Sequence, residues 1–219
     1  AIQFLTILPL PAGWSPDARA LGGSLPFFPV VGLAIGMVVT LADGVLGQIL
    51  PLAVTSVLTV ILLIAASGAL HLDGLADTAD GLFSARPRER VLEIMHDSRT
   101  GPMGVAAIVS VLALKIALFT SLAAPERWWI LVLTPVAGRC ALLLHLSLLP
   151  YLRPEGGLAT VFHQNRSRGQ ALWAILFLLG LGTLSGGFAG FLAAAAAALA
   201  ALLLAAYLRR RLGGLTGDT

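Results

Sequence analysis

The chain has 219 residues, of which 58% are hydrophobic and only 11% charged, with a formal net charge of +3. A soluble domain carries roughly 25% charged residues, so a soluble fold of this size is excluded and a bilayer must cover the apolar excess. The single cysteine, Cys140, excludes an intramolecular disulfide.

In chain order, the opening ten residues lack a basic n-region, so no cleaved signal peptide is expected. A polar stretch follows at 9–24. Six apolar segments then stand out, near 30–50, 52–70, 103–123, 128–149, 171–187 and 188–208. None alternates with the period of a membrane barrel strand, so each reads as a spanning helix. Pro51, Pro125 and Gly186 with Gly187 mark short turns between paired helices. Gly32 and Gly36 form a G-x-x-x-G pair in the first span, and the alanines at 193–198 smooth the sixth; both patterns permit close helix contact. Asp43, near the outer end of the first span, is expected at the interface.

Longer polar stretches lie at 71–101, 150–169 and 209–219. With a cytoplasmic N-terminus, these and the 9–24 stretch share one side, together with 11 of the 12 basic residues outside the spans; Arg127 is the exception. That asymmetry orients the polar side to the cytoplasm. Trp128 and Trp129 suit an anchor at the outer interface. The expected fold is an all-α, polytopic integral membrane bundle. It is a single domain over 1–219 with about six transmembrane helices and a short cytoplasmic amphipathic helix carrying Val91, Leu92, Ile94 and Met95.

The sharpest chemical feature is His71-Leu-Asp73-Gly74-Leu-Ala-Asp77-Thr-Ala-Asp80-Gly81, directly after the second span. Asp73, Asp77 and Asp80 recur at helical spacing and share one stripe. Three carboxylates on a stripe repel one another unless a cation sits among them. Mg²⁺ and Mn²⁺ prefer such oxygen ligands, completed by water and substrate phosphates. The competing reading is a solvated acidic helix end, which aspartate's poor helix propensity disfavours. The spacing does not fit an EF-hand loop.

A second constellation runs from Arg86 to Gly101. Asp97 is a candidate further ligand or base, and Arg99 a candidate phosphate contact; a basic interfacial helix held by lipid headgroups is the alternative. Lys115 and Arg139 lie well inside the third and fourth spans, where a cation is costly and functional by default. Either can neutralise substrate phosphate or pair with the aspartates; snorkelling or a structural ion pair is the alternative. His71 and His96 flank the acidic residues and are candidate proton carriers. His145 reads as a satisfied histidine within its span. There is no G-x-x-x-x-G-K-[S/T] loop, no G-x-S-x-G elbow and no zinc-ligand histidine spacing.

These motifs carry a resemblance. Phe4-Leu-Thr-Ile-Leu-Pro-Leu-Pro11, Phe28-Pro-Val-Val-Gly32, the block from His71 to Arg86, Leu92-Glu-Ile-Met-His-Asp-Ser-Arg99, and Gly213-Gly-Leu-Thr-Gly-Asp-Thr219 span the chain. The sequence resembles the cobalamin synthases, or adenosylcobinamide-GDP ribazoletransferases. Lys115 and Gly138-Arg139 match positions where that family usually carries Lys and an Arg motif. Ile7 and His96 depart from it, each standing where the family often has Arg. The family also usually continues into a further apolar helix beyond the position of Thr219.

The resemblance implies the reaction. Adenosylcobinamide-GDP is joined to α-ribazole or its 5′-phosphate, GMP leaves, and adenosylcobalamin or its 5′-phosphate forms. Mg²⁺ is the implied cofactor, with Mn²⁺ a possible substitute. Asp73, Asp77 and Asp80 are then the metal ligands, and Asp97, Arg99, Lys115, Arg139 and His71 the catalytic candidates. The expected partners are the small-molecule substrates and the bilayer, with no nucleic acid. A CDP-alcohol phosphotransferase is a weaker reading, because Leu75-Ala76-Asp77 stands where its Ala-Arg belongs. A transporter is weaker still: the halves show no internal repeat, and the polar residues cluster on one face rather than at midplane.

Overall fold

The computed structural model describes residues 1–9, 21–97, 99–152 and 158–217, apart from the side chains of Leu158 and Ala159. Most of the 9–24 stretch, Arg153 and the end of the C-terminal motif lie outside the described residues. The helices are α1 (Ile2–Leu5), α2 (Phe28–Leu46, preceded by a 3-10 turn at Leu25–Phe27), α3 (Leu52–Ala66), α4 (Leu70–Leu82) and α5 (Arg88–Ile94). They continue with α6 (Pro102–Ser121), α7 (Ala124–Leu148), α8 (Leu158–Gln164) and α9 (Arg168–Arg211). Among the described residues the only bridge of β type pairs Tyr151 with Leu215. The protein is therefore an all-α membrane bundle, as the composition requires. Four helices are long and apolar enough to cross a bilayer, and the bent pair of α3 and α4 makes a fifth candidate.

Helix α9 runs 44 residues, about 66 Å if straight, roughly twice the hydrocarbon thickness. It is not straight. Gly187 adopts φ 57°, ψ −137°, a conformation open essentially to glycine alone. Gly182 and Gly190 pack so closely that a Cβ on either would strike the other's carbonyl. Eight residues of straight helix would separate them by about 12 Å. The chain therefore folds back at Gly187, the turn expected from the sequence, and its two limbs lie side by side. Gly186 packs on Trp129 at the start of α7, while His145 near its end meets the Ala201 carbonyl of the second limb at 2.8 Å. The count of six read from the sequence rests on taking α3 with α4 as one span and each limb of α9 as another.

Helix α7 is the axis of the bundle and packs most extensively on α9 and α2. Its approach to α2 depends on Gly32 and Gly36, where a Cβ would run into the backbone of Pro135, Val136 and Val132. On the second limb of α9, Ala194, Ala198, Ala201 and Ala205 are buried at helical spacing. The outer faces stay apolar: Leu41 is 71% exposed and Leu184 87%, surface that hydrocarbon rather than water must cover.

Asp43 is buried within the bundle. Its carboxylate takes two hydrogen bonds from Arg127, at 2.6 and 2.8 Å, and one from Thr59 at 2.6 Å. Arg127 also donates to Ser56 and to the Phe119 carbonyl, so four helices meet at one satisfied ion pair. A pair buried this completely is held by its extra hydrogen bonds, since Coulomb attraction alone seldom offsets desolvation. The second span ends earlier than expected. Gly68 and Ala69 both take left-handed backbone angles, φ 59° and 61°, and α4 leaves α3 at 89°. An alanine in that region costs roughly 1–2 kcal/mol, which the surrounding contacts must offset. The result lays the aspartate helix across one end of the bundle.

Described parts of three polar stretches, 71–101, 150–169 and 209–219, gather at that end. Arg88 donates to the Leu212 carbonyl at 2.5 Å and Arg211 to Arg86 at 2.7 Å. Arg166 reaches the Leu149 carbonyl, and Leu152 pairs with Leu215. Phe4, Phe28 and Phe162 pack together there, with ring centroids 4.9 to 6.0 Å apart. Helix α5 is amphipathic as expected: Val91 and Met95 are buried against Gly81 of α4, while Arg88, Glu89 and Arg90 face out.

Candidate active site

A cavity of about 540 Å³ opens where α4 crosses the bundle end, bounded by α3, α6, α7 and the second limb of α9. His71 and Asp73 enter it from α4, Lys115 from α6, and Arg139 and His145 from α7. The bend at Gly68 and Ala69 is what turns the first turn of α4 toward the two intramembrane cations. Much of the rest of the lining is apolar, with residues such as Val60, Ile64, Leu112 and Leu204. Four of the sequence candidates thus meet in one space.

Arg139 decides the character of this space. It is 6% exposed, and its buried Nε and Nη2 have no hydrogen-bond partner among the described residues. A buried, unpaired guanidinium is among the most expensive groups a protein can hold. Neither Arg139 nor Lys115 forms an ion pair among the described residues, so they are not bound to the aspartates. Among the described residues two cations face a single lining carboxylate, which favours an anionic occupant, and the planar fork of arginine suits phosphate. His145, read as a satisfied histidine, does bond to Ala201, yet it also lines the cavity.

The remaining candidates sit elsewhere. Asp80 does not line the cavity. Its carboxylate accepts the N–H of Gly101 at 2.6 Å and of Gly104 at 2.8 Å, at the start of α6. Among the described residues, no three His, Cys, Asp or Glu side chains converge closely enough to hold a metal unaided. Asp97 and Arg99 lie outside the cavity, in the loop before α6, and bind each other through two side-chain contacts of 2.6 and 2.9 Å.

The hydrogen bonds from Arg99, side chain first and then backbone, hold the Asp97 carboxyl down to about 2. A depressed carboxyl stabilises the fold above its ordinary range, and that contribution disappears only as pH falls through about 2. Asp97 therefore stays ionised throughout the physiological range and is a weak proton acceptor. The expected result is that Asp97→Asn leaves the midpoints of the pH–rate profile between about 5 and 8 in place. A midpoint there that vanishes in Asp97→Asn would contradict this assignment.

The comparisons meet this geometry. The cobalamin-5-phosphate synthase family matches the chain over residues 1–219. The chain belongs to that family. Its relatives include the adenosylcobinamide-GDP ribazoletransferases of Pseudomonas putida (strain W619), 41% identical over all of this chain and 89% of that protein. The enzyme of Desulforamulus reducens is 37% identical over all of this chain and 87% of its own length. That of Roseiflexus sp. (strain RS-1) is 39% identical over 81% of its length. No solved structure matches. A cobalamin-5-phosphate synthase is a transferase of small molecules.

Proposed function

We infer that this chain joins adenosylcobinamide-GDP to α-ribazole or its 5′-phosphate, releasing GMP and forming adenosylcobalamin or its 5′-phosphate. The observation that carries this is Arg139, whose Nε and Nη2 have no partner among the described residues, lining with Lys115 a cavity large enough for a phosphate-bearing group. A ribose hydroxyl of the acceptor bonds to the corrinoid-side phosphorus of the diphosphate, and the bond from that phosphorus to GMP breaks. Arg139 and Lys115 offset the negative charge gathered on the phosphoryl oxygens. His71, which lines the same cavity as Asp73, would accept the hydroxyl proton.

The donor set of α4 suits Mg²⁺. Such an ion takes one or two carboxylates and completes its shell with water and phosphate oxygens, so three converging side chains are not required. Asp73, which lines the cavity, would hold it, with Asp77 one turn on along α4 but outside the lining residues. Asp80, third on the stripe, already accepts two N–H groups. Mg²⁺, or Mn²⁺ in its place, when bound would neutralise the diphosphate and the departing GMP. The test is GMP release by purified protein supplied with donor, α-ribazole 5′-phosphate and Mg²⁺; no release from a folded preparation would refute the assignment.

We further propose that the cavity faces the cytoplasm of a bacterial inner membrane. The support is the 11 basic residues on the polar side and the hydrogen bonds tying three polar stretches to one end. Single cysteines at Ser84, Ser167 and Thr216 should resist an impermeant reagent in intact cells and react after permeabilisation. Labelling of any of them from outside would reverse the orientation.

A further inference from the structure

The third aspartate of the stripe has a different environment from the first. Helix α6 begins at Gly101-Pro102, so its N-cap residue has no side chain and makes no cap of its own. The first N–H groups of a helix need acceptors, and in α6 they find one on another helix. Gly101 N–H points to Oδ2 of Asp80 and Gly104 N–H to Oδ1. Both donors are glycines for a steric reason. A Cβ at Gly101 would come within 2.6 Å of Oδ1, and one at Gly104 within 2.5 Å of Oδ2 and 2.9 Å of the Ala76 carbonyl. The N-terminus of a helix carries the positive end of its dipole, and it is aimed at this carboxylate. That field favours the anion and opposes a second cation at the same oxygens.

We propose that Asp80 is a positioning residue, an N-terminal cap supplied in trans to α6, and not a ligand of a metal ion. It locks the loop carrying Asp97 and Arg99, and the start of the helix carrying Lys115, to the aspartate helix whose first turn faces the cavity. The cap is a property of the fold; only its contrast with Asp73 rests on the proposed metal reading.

The test uses the full-length protein in detergent, with Asp80→Asn, Gly104→Ala, their combination, and Asp73→Asn. Asp80→Asn leaves one acceptor oxygen and no charge, and Gly104→Ala displaces the carboxylate from the other side. Each should lower the melting temperature, by about 5 °C, and raise the KM for the donor. Because both break one clasp, the double variant should be no worse than the worse single one, which a general packing defect at two sites would not produce. Mn²⁺ affinity, read by electron paramagnetic resonance, should stay within about twofold in Asp80→Asn. Even outer-shell partners of a metal cost about 10- to 100-fold when removed, so a tenfold loss in Asp80→Asn would overturn the proposal. Additive melting shifts in the double variant would also overturn it. If Asp73→Asn also leaves Mn²⁺ affinity intact, or the unmodified protein binds no Mn²⁺, the metal reading fails while the cap stands on the melting and KM cycle.

Discussion

Asp73→Asn should reduce the transfer rate by about 10²-fold or more while leaving the helical bundle folded. The substitution keeps the shape of the side chain and removes the one carboxylate that, among the described residues, lines the cationic cavity. A metal ion at a phosphoryl group supplies several kcal/mol of charge stabilisation, and each 1.36 kcal/mol is tenfold in rate. The loss should shrink as Mg²⁺ is raised, because what is weakened is affinity. Mn²⁺ should replace Mg²⁺, and Ca²⁺ should serve poorly, since its looser coordination misplaces phosphate oxygens. An Asp73→Asn protein that works at the unmodified rate in chelator would leave α4 as a solvated acidic helix and nothing more.

Arg139→Met should cost about 2–4 kcal/mol in transition-state stabilisation, or roughly 30- to 10³-fold in kcat/KM. Stability should move the other way or not at all. In the free protein this guanidinium is buried with two nitrogens unpartnered among the described residues, so an apolar side chain of similar length removes an expense. That combination, lower turnover with unchanged or higher melting temperature, separates a substrate-facing arginine from a structural one. A structural arginine such as Arg127, satisfied by Asp43, Ser56 and the Phe119 carbonyl, would show the reverse. Near-normal GMP release from Arg139→Met would remove it from the reaction.

Much of this was legible in the sequence because each feature is short-ranged. Six apolar segments, glycine turns and the basic asymmetry follow from composition along the chain. Lys115 and Arg139 stand out because charge inside a span is expensive, and the structure brings both to one cavity with His71 and Asp73. What could not be read depends on angles and on distant partners. The 89° bend after Ala66 hangs on two left-handed residues, one of them an alanine that propensity does not flag. Without the bend, all three aspartates would continue the second span and appear equivalent. Asp43 and Arg127 lie 84 residues apart, and nothing local pairs them. The start of α6 did hold a signal: a helix opening on Gly101-Pro102 lacks its own cap, so an acceptor had to come from elsewhere, and Asp80 supplied it.

The central claim is that this membrane bundle performs acceptor-dependent transfer from a GDP-activated corrinoid in the cavity around Arg139. Purified protein in detergent, given adenosylcobinamide-GDP and Mg²⁺ with and without α-ribazole 5′-phosphate, tests it in one assay. GMP release that requires the acceptor, equals the corrinoid product formed, stops in chelator and returns with Mg²⁺ is the predicted result. GMP release that is the same without acceptor, or its absence from a folded preparation supplied with every component, would contradict the account.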